Sequence, residues 1–220
     1  MLLTSRSHAE YRAMFDLTDD DLAGVTLDCG GGASSFVAGA GAGGGRALAL
    51  DPAYAAGADA LARRLSRDLD RSRAIGIAGG DRYLWDWYGS PGRHRELRRA
   101  AGAEFLVDLR RHPGRYLAGS LPRLPLADAG VDLVLSSHLL FTWADRFDYA
   151  WHRAAILEMC RVSRGEVRLF PLVHQGDGAP VDFLDRLRAD VEAALGVTSA
   201  CVRVPFEFQR GADRMLTFVL

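Results

Sequence analysis

Lysine is absent from this 220-residue chain, so all 27 of its fixed positive side chains are arginine. Beside so much alanine and glycine, that absence reads as genome-level compositional bias rather than function. Acidic residues number 28, and the formal net charge is −1. A near-neutral chain suits a polyanion poorly, which argues against a nucleic-acid partner. Cysteine is scarce: Cys29, Cys160 and Cys201 stand far apart, with no C-x-x-C. Neither a disulfide framework nor a zinc site is expected from that spacing. Long apolar runs are also missing. The start, MLLTSRSHAEYR, has no signal-peptide core, and no run approaches bilayer-spanning length. These absences predict a soluble cytoplasmic protein with no membrane partner and no metal. What is present is a 49% hydrophobic composition, enough for one α/β domain over residues 1–220 with a substantial core.

The most informative stretch is Val25 to Phe36, VTLDCGGGASSF. Val25-Thr26-Leu27 reads as a buried strand leading into Asp28, and Gly30, Gly31 and Gly32 form a tight turn whose backbone must take φ > 0 or approach a ligand closely. A short Ala-rich helix from Ser35 to Ala42 follows. A second strand, Arg46 to Leu50, then ends in Asp51-Pro52. Strand, glycine turn, helix and a strand ending in an acid form the nucleotide-binding half of an α/β sheet. The turn presents N–H groups, and the acid can accept hydrogen bonds from ribose hydroxyls. The dinucleotide pattern G-x-G-x-x-G fits loosely, because its third glycine position is Ser35. The pattern acid-x-G-x-G-x-G fits better, with Asp28, Gly30, Gly32 and Ser34 in the third glycine place.

That arrangement resembles the first motif of class I S-adenosylmethionine-dependent methyltransferases. The string LPRLPLADAGVDLVLSSHLLF, from Leu121 to Phe141, is similar to the segment after the third strand in that family. Arg161 to Leu172 resembles the family's approach to its fifth strand. The likeness runs from Val25 to Leu220, excluding inserted helices. It implies a seven-stranded, mostly parallel Rossmann-like sheet with helices on both faces and an antiparallel C-terminal strand. It implies S-adenosyl-L-methionine as cofactor. Asp28, Cys29, Gly30, Gly31, Gly32 and Ser34 would hold its methionine part, Asp51 with Pro52 its ribose, and Gly119, Ser120 and Leu121 its adenine. Many relatives place an Asp where Ser120 stands, so backbone contacts would serve here. Tyr54 would lie against the adenine or simply pack.

Around this frame, Ser7 and Glu10 form a capping box for a helix with the stripe Tyr11, Met14 and Phe15. Thr18 to Asp21 would cap a second short helix. Residues 1–24 thus read as N-terminal cap helices, with Tyr11 and Phe15 as contacts. Residues 55–114 separate the second and third strands by far more than a minimal connection and read as an inserted helical lid. The insertion contains a helix from Ala55 to Asp70, a breaker at Ala78-Gly79-Gly80-Asp81 and the aromatics Tyr83, Trp85, Trp87 and Tyr88. A second helix follows, His94 to His112, with Leu97, Ala101, Phe105 and Leu109 inside and Arg95, Arg98, Arg99, Arg110 and Arg111 in solvent. Arg115 to Ser120 and Val131 to His138 are strands three and four. Thr142 to Cys160 is a buried helix, and Glu166 to Leu172 is strand five. A helix from Asp182 to Leu195 precedes a terminal antiparallel pair, Ala200 to Phe206 and Met215 to Leu220.

Ser136, Ser137 and His138 sit where strand four opens on the switch-point crevice, where open α/β sheets bind ligands, and the two serines are expected to contact the cofactor. His138 is the candidate general base, since imidazole titrates near neutrality. Tyr11, Trp87, His174 and Arg210 are candidate substrate residues, the last within an EFQRG string that resembles uncharacterised bacterial methyltransferase-like proteins. The family likeness implies methyl transfer to a small-molecule acceptor at O, N or C, mainly by proximity and orientation. The protein would be a monomer or homodimer. Three alternatives stay open: a fold that binds cofactor without turnover, a nicotinamide-dependent oxidoreductase, and a nucleic-acid methyltransferase using the arginines from Arg93 to Arg115.

Overall fold

The computed structural model describes residues 2–78 and 80–220. Gly79, within the expected breaker, lies outside the described residues. In chain order the elements are α1 (His8–Met14), β1 (Val25–Cys29), α2 (Phe36–Ala42), β2 (Arg46–Leu50), α3 (Ala58–Ala78), α4 (Pro91–Arg111) and β3 (Tyr116–Leu117). They continue with β4 (Val131–Ser137), α5 (Tyr149–Val162), β5 (Ser163–Phe170), α6 (Leu184–Leu195), β6 (Thr198–Arg203) and β7 (Arg214–Val219). The strands form a seven-stranded sheet in the order β3-β2-β1-β4-β5-β7-β6. The first five run parallel, and β7 lies antiparallel between β5 and β6. The order reverses between β1 and β4, which opens a crevice above their C-terminal ends.

Alternation along the strands builds two cores, because successive side chains point to opposite faces. In β2, Ala47 and Ala49 join the layer of α1, α2, α3 and α4, whereas Leu50 joins the layer of α5 and α6. Helices therefore cover both faces, as expected. The insertion is packed into this body. Leu61, Leu65, Phe105 and Leu109 are buried in the same cluster as Ala49 and Tyr116. Tyr54 is buried edge-on against Tyr116 and beside Phe105, so packing, not adenine, occupies it.

Several expectations are corrected. Residues 16–23 turn without forming a second helix. Thr18 and Asp21 do make cap-like bonds, but the Asp21 carboxylate goes on to pair with Arg168 at 2.6 Å, which ends the segment against β5. Strand three is only Tyr116–Leu117, since Gly119 and the prolines at 122 and 125 follow at once. The helix expected from Thr142 is a 3₁₀ turn, Phe141–Trp143, and then α5, which restarts where the Asp148 carboxylate caps Trp151 N–H at 2.8 Å. The gap expected between the helix ending at Cys160 and strand five starting at Glu166 is absent, since α5 runs to Val162 and β5 begins at Ser163. Arg98 is buried rather than solvated: its Nη2 lies 3.0 Å from Glu10 Oε1 and its Nη1 donates to Ser5 O at 2.7 Å.

Candidate cofactor and substrate site

The C-terminal ends of β1 to β4 open into a cavity of ≈ 540 Å³. The glycine turn forms one wall. Gly30 has φ +82°, and a Cβ there would come 2.8 Å from Leu139 Cδ2. A Cβ at Gly31 would lie 2.9 Å from both Asp28 Oδ2 and Tyr54 Oη, so only glycine brings this backbone to the cavity. Asp51 stands beside it. Its Oδ2 accepts Gly32 N–H at 3.1 Å and its Oδ1 accepts Ala53 N–H at 2.8 Å. Burial raises the Asp51 pKa, and the two N–H groups oppose that rise. A carboxylate has about four lone-pair positions, so acceptor capacity remains on the cavity side. Cys29, Gly30, Gly31, Gly32, Asp51, Pro52, Gly119, Ser120 and Leu121 all line this one space, with Ser137, His138 and Tyr11.

Three expected cofactor residues stand behind the wall instead. Asp28 is fully buried and accepts the Tyr11 hydroxyl at 3.0 Å and the Ser34 hydroxyl at 2.8 Å. Burial pushes its pKa up to about 7 despite those two donors. Ser136 Oγ donates to Cys29 O at 2.9 Å, tying the ends of β4 and β1 together. Asp28, Ser34 and Ser136 thus shape the turn and do not line the cavity.

His138 caps β4 with φ +54°, and its N–H donates to Phe170 O at 2.6 Å. Its Nδ1 lies 2.9 Å from Ser137 Oγ. Burial first, then the positive charge of Arg6 and Arg98, lowers its pKa well below the ordinary imidazole value. The ring is therefore neutral near pH 7 and a weaker proton acceptor than a free histidine. His174 lies outside this cavity, on an adjoining open groove of ≈ 940 Å³. The two spaces share Leu2, Thr142, Trp143 and Gln175. Trp87 reaches neither; it packs against Tyr88 and Phe206. Arg210 also lines neither, its N–H donating to Arg82 O at 2.9 Å. Phe15 lies in the core against Phe170, while Tyr11 reaches the cavity.

The cavity has walls that sequence reasoning missed. An N-terminal strap runs beside the glycine turn, with Ala33 N–H bonded to Thr4 O at 3.1 Å and Ser35 N–H to Arg6 O at 2.8 Å. It brings Leu2, Leu3, Thr4 and Arg6 to the cavity. Opposite them stand Trp143, Phe147 and Trp151, the last two stacked with centroids 3.9 Å apart. Their spacing of four residues was the available signal; it reads equally well as a core stripe. The strap carries no periodicity and gave no signal.

Comparison with known proteins agrees with this architecture. No family model matches the chain. An uncharacterised protein of Methanocaldococcus jannaschii is 24% identical over 216 residues, spanning 98% of this chain and 94% of that one. Magnesium protoporphyrin IX methyltransferase from Synechocystis PCC 6803, solved with bound S-adenosylhomocysteine, superposes with a TM-score of 0.51 at 10% identity, covering 96% of this chain and 81% of that one. The chain has the class I methyltransferase fold. The Burkholderia thailandensis 1,6-didemethyltoxoflavin-N1-methyltransferase is similar at a TM-score of 0.45 and 14% identity, over 96% of this chain and 74% of that one. Within this methyltransferase fold the ≈ 540 Å³ cavity occupies the switch-point crevice between β1 and β4. Among the described residues no helix is long and apolar enough to cross a membrane.

Proposed function

We propose that this protein transfers a methyl group from S-adenosyl-L-methionine to a small-molecule acceptor. One observation carries the reading: the Asp51 carboxylate and a glycine turn that tolerates no Cβ, joined by the Gly32 N–H bond, line a single cavity side by side. That donor set fits an adenosyl group. The carboxylate would accept from ribose hydroxyls, Gly119 to Leu121 would flank the base, and the turn would admit close backbone approach. The cofactor, when bound, supplies a methyl group on a positively charged sulfur. The chain's own residues then bind, orient and exclude water. Trp143, Phe147 and Trp151 offer an apolar wall for an acceptor, beside Tyr11 and Ser137. Holding two reactants in line supplies up to about 7–11 kcal/mol of barrier reduction without a dedicated acid or base. His138, kept neutral, is suited to positioning an acceptor and to taking a proton from one that releases it readily.

Calorimetric titration with S-adenosylmethionine, S-adenosylhomocysteine and NAD tests the reading, with Asp51→Ala alongside. Both adenosyl ligands should bind and NAD should not. Asp51→Ala should weaken binding on the order of 10- to 100-fold, as loss of hydrogen bonds to a charged group does. Binding of NAD alone would overturn the proposal. Incubation of the protein with methyl-labelled cofactor and candidate acceptors separates turnover from binding.

A further inference from the structure

Among the described residues, the Arg6 side chain makes no hydrogen bond and no ion pair. Its Nε is shielded from solvent, and among the described residues its guanidinium has neither a hydrogen bond nor a carboxylate within ion-pair distance. Its neighbours leave it none. Glu10 is committed to Arg98 at 3.0 Å and to the Tyr88 hydroxyl at 2.6 Å. Asp28 is committed to Tyr11 and Ser34. Arg98, itself a cation, raises the positive potential at Arg6 further. The backbone of Arg6 is pinned by Ser35 N–H, so the side chain lies on the same cavity as the glycine turn, Ser137 and His138. Thr142 Oγ1, also buried without a partner, lines that cavity too. Glu10 and Asp28 act on Arg6 only from beyond ion-pair distance, and a half-buried cation with no hydrogen-bonded counter-charge is costly unless a ligand supplies one.

We infer that Arg6 is the anchor of a carboxylate-binding subsite in this cavity, filled by a ligand and not by the protein. A guanidinium recognises a planar carboxylate through paired N–H donors, which a solitary hydroxyl or N–H cannot match. The inference rests on the methyl-transfer reading for its source. Two ligands of that reaction could bring the group: the amino-acid end of the cofactor, or an acidic acceptor lying on the Trp143 wall. In either case the cavity reads its ligand by charge as well as shape.

Four titrations decide it, on the full chain and on Arg6→Gln and Arg6→Lys, with thermal melts confirming folding. Because the Arg6 side chain makes no hydrogen bond among the described residues, both variants should melt at or above the wild-type temperature. The probes are S-adenosylhomocysteine, 5′-methylthioadenosine (the same nucleoside thioether without the amino acid), and benzoate with and without saturating S-adenosylhomocysteine. If the cofactor brings the carboxylate, Arg6→Gln should weaken S-adenosylhomocysteine roughly 10- to 100-fold and leave 5′-methylthioadenosine unchanged. Arg6→Lys should recover part of that loss. If the acceptor brings it, both adenosyl ligands keep their affinity and benzoate binding to the loaded protein is lost in Arg6→Gln. The subsite is refuted if no carboxylate probe distinguishes Arg6→Gln from wild type. It is equally refuted if both adenosyl ligands weaken alike. Should wild type bind neither adenosyl ligand, the methyl-transfer reading falls, and benzoate on the unloaded protein still decides the subsite.

Discussion

Arg98→Met should cost this protein a large part of its stability, and the structure says why. Arg98 and Glu10 are 6% and 0% exposed, with 3.0 Å between Nη2 and Oε1. The same carboxylate accepts the Tyr88 hydroxyl at 2.6 Å and the Ser7 N–H at 2.7 Å. Arg98 Nη1 also holds Ser5 O at 2.7 Å. Methionine fills most of the volume but leaves a buried, uncompensated carboxylate. Breaking a buried pair in this way costs about 3–5 kcal/mol. For a chain of this size that is a Tm loss of roughly 6–20 °C, at about 2–4 °C per kcal/mol. Urea unfolding and thermal melts followed by circular dichroism measure it. The double variant Glu10→Gln/Arg98→Met buries no charge there and should be more stable than Arg98→Met alone. The pH dependence gives a second check. Burial by itself would raise the Glu10 pKa, but Arg98, the Ser7 N–H and the Tyr88 hydroxyl outweigh it and hold the pKa below its ordinary value of 4.5. A depressed carboxyl contributes stability above its unfolded pKa and loses it as pH falls through the folded one. Without Arg98, burial wins and protonation of Glu10 relieves the damage. The gap between wild type and Arg98→Met should therefore narrow as pH falls from 8 towards 5. A loss below about 1 kcal/mol, the range of an exposed pair, would refute the reasoning. A gap that widens in acid would do the same.

Asp28, raised from 3.8 to about 7, behaves in the opposite sense. Its contribution is fully present in acid and lost as pH rises through 7, so wild type should lose stability between pH 4 and pH 8 that Asp28→Asn keeps, on the order of 4 kcal/mol at most. Denaturant midpoints at the two pH values measure the difference, and identical slopes for both proteins would count against the buried acid. Gly31→Ala should cost about 1–3 kcal/mol by overpacking against Asp28 and Tyr54 and should impair adenosyl-ligand binding. Titration and melting of the same sample read both effects. Phe105→Ala should cost about 3–5 kcal/mol, since the ring is fully buried. A near-zero change would mean that the 55–114 segment is a detachable lid and not part of the core.

The frame of the fold was legible where local chemistry dictates it. The strand from Arg46 to Leu50 and the Ser7–Glu10 capping box needed only neighbours in sequence, and both stand as expected. So was the convergence of Asp51, the glycine turn and Gly119 to Leu121 on one cavity. What escaped were side chains whose meaning depends on distant partners. Arg98 shares a helix face with Ala101, Gly102, Phe105 and Asp108, but a charge on such a face reads as solvated until Glu10 is seen against it. Tyr54 followed the acid after β2, where an adenine contact is plausible, and was claimed by Phe105 from within the insertion and by Tyr116 just after it. Trp87 lay in an aromatic run that could wall a pocket, and Phe206 from the far end of the chain took it instead. The strap from Leu2 to Arg6 forms no element at all, so nothing in its pattern announced a cavity wall.

That strap has a consequence for how the protein is made. Its residues leave the ribosome well ahead of the groups that fasten them. Leu3 N–H awaits the Asp68 carboxylate and Ser5 awaits Arg98, while at the end of α1, into which the strap leads, Phe15 O awaits the guanidinium of Arg168. Strands β1 and β2 can emerge with their glycine turn between them, but the chamber above them lacks a side until most of the chain has been synthesised. Nascent chains halted before β5 should carry the motif and no ligand-binding capacity. The recognisable signature is thus the earliest part of the site to exist, and competence the last.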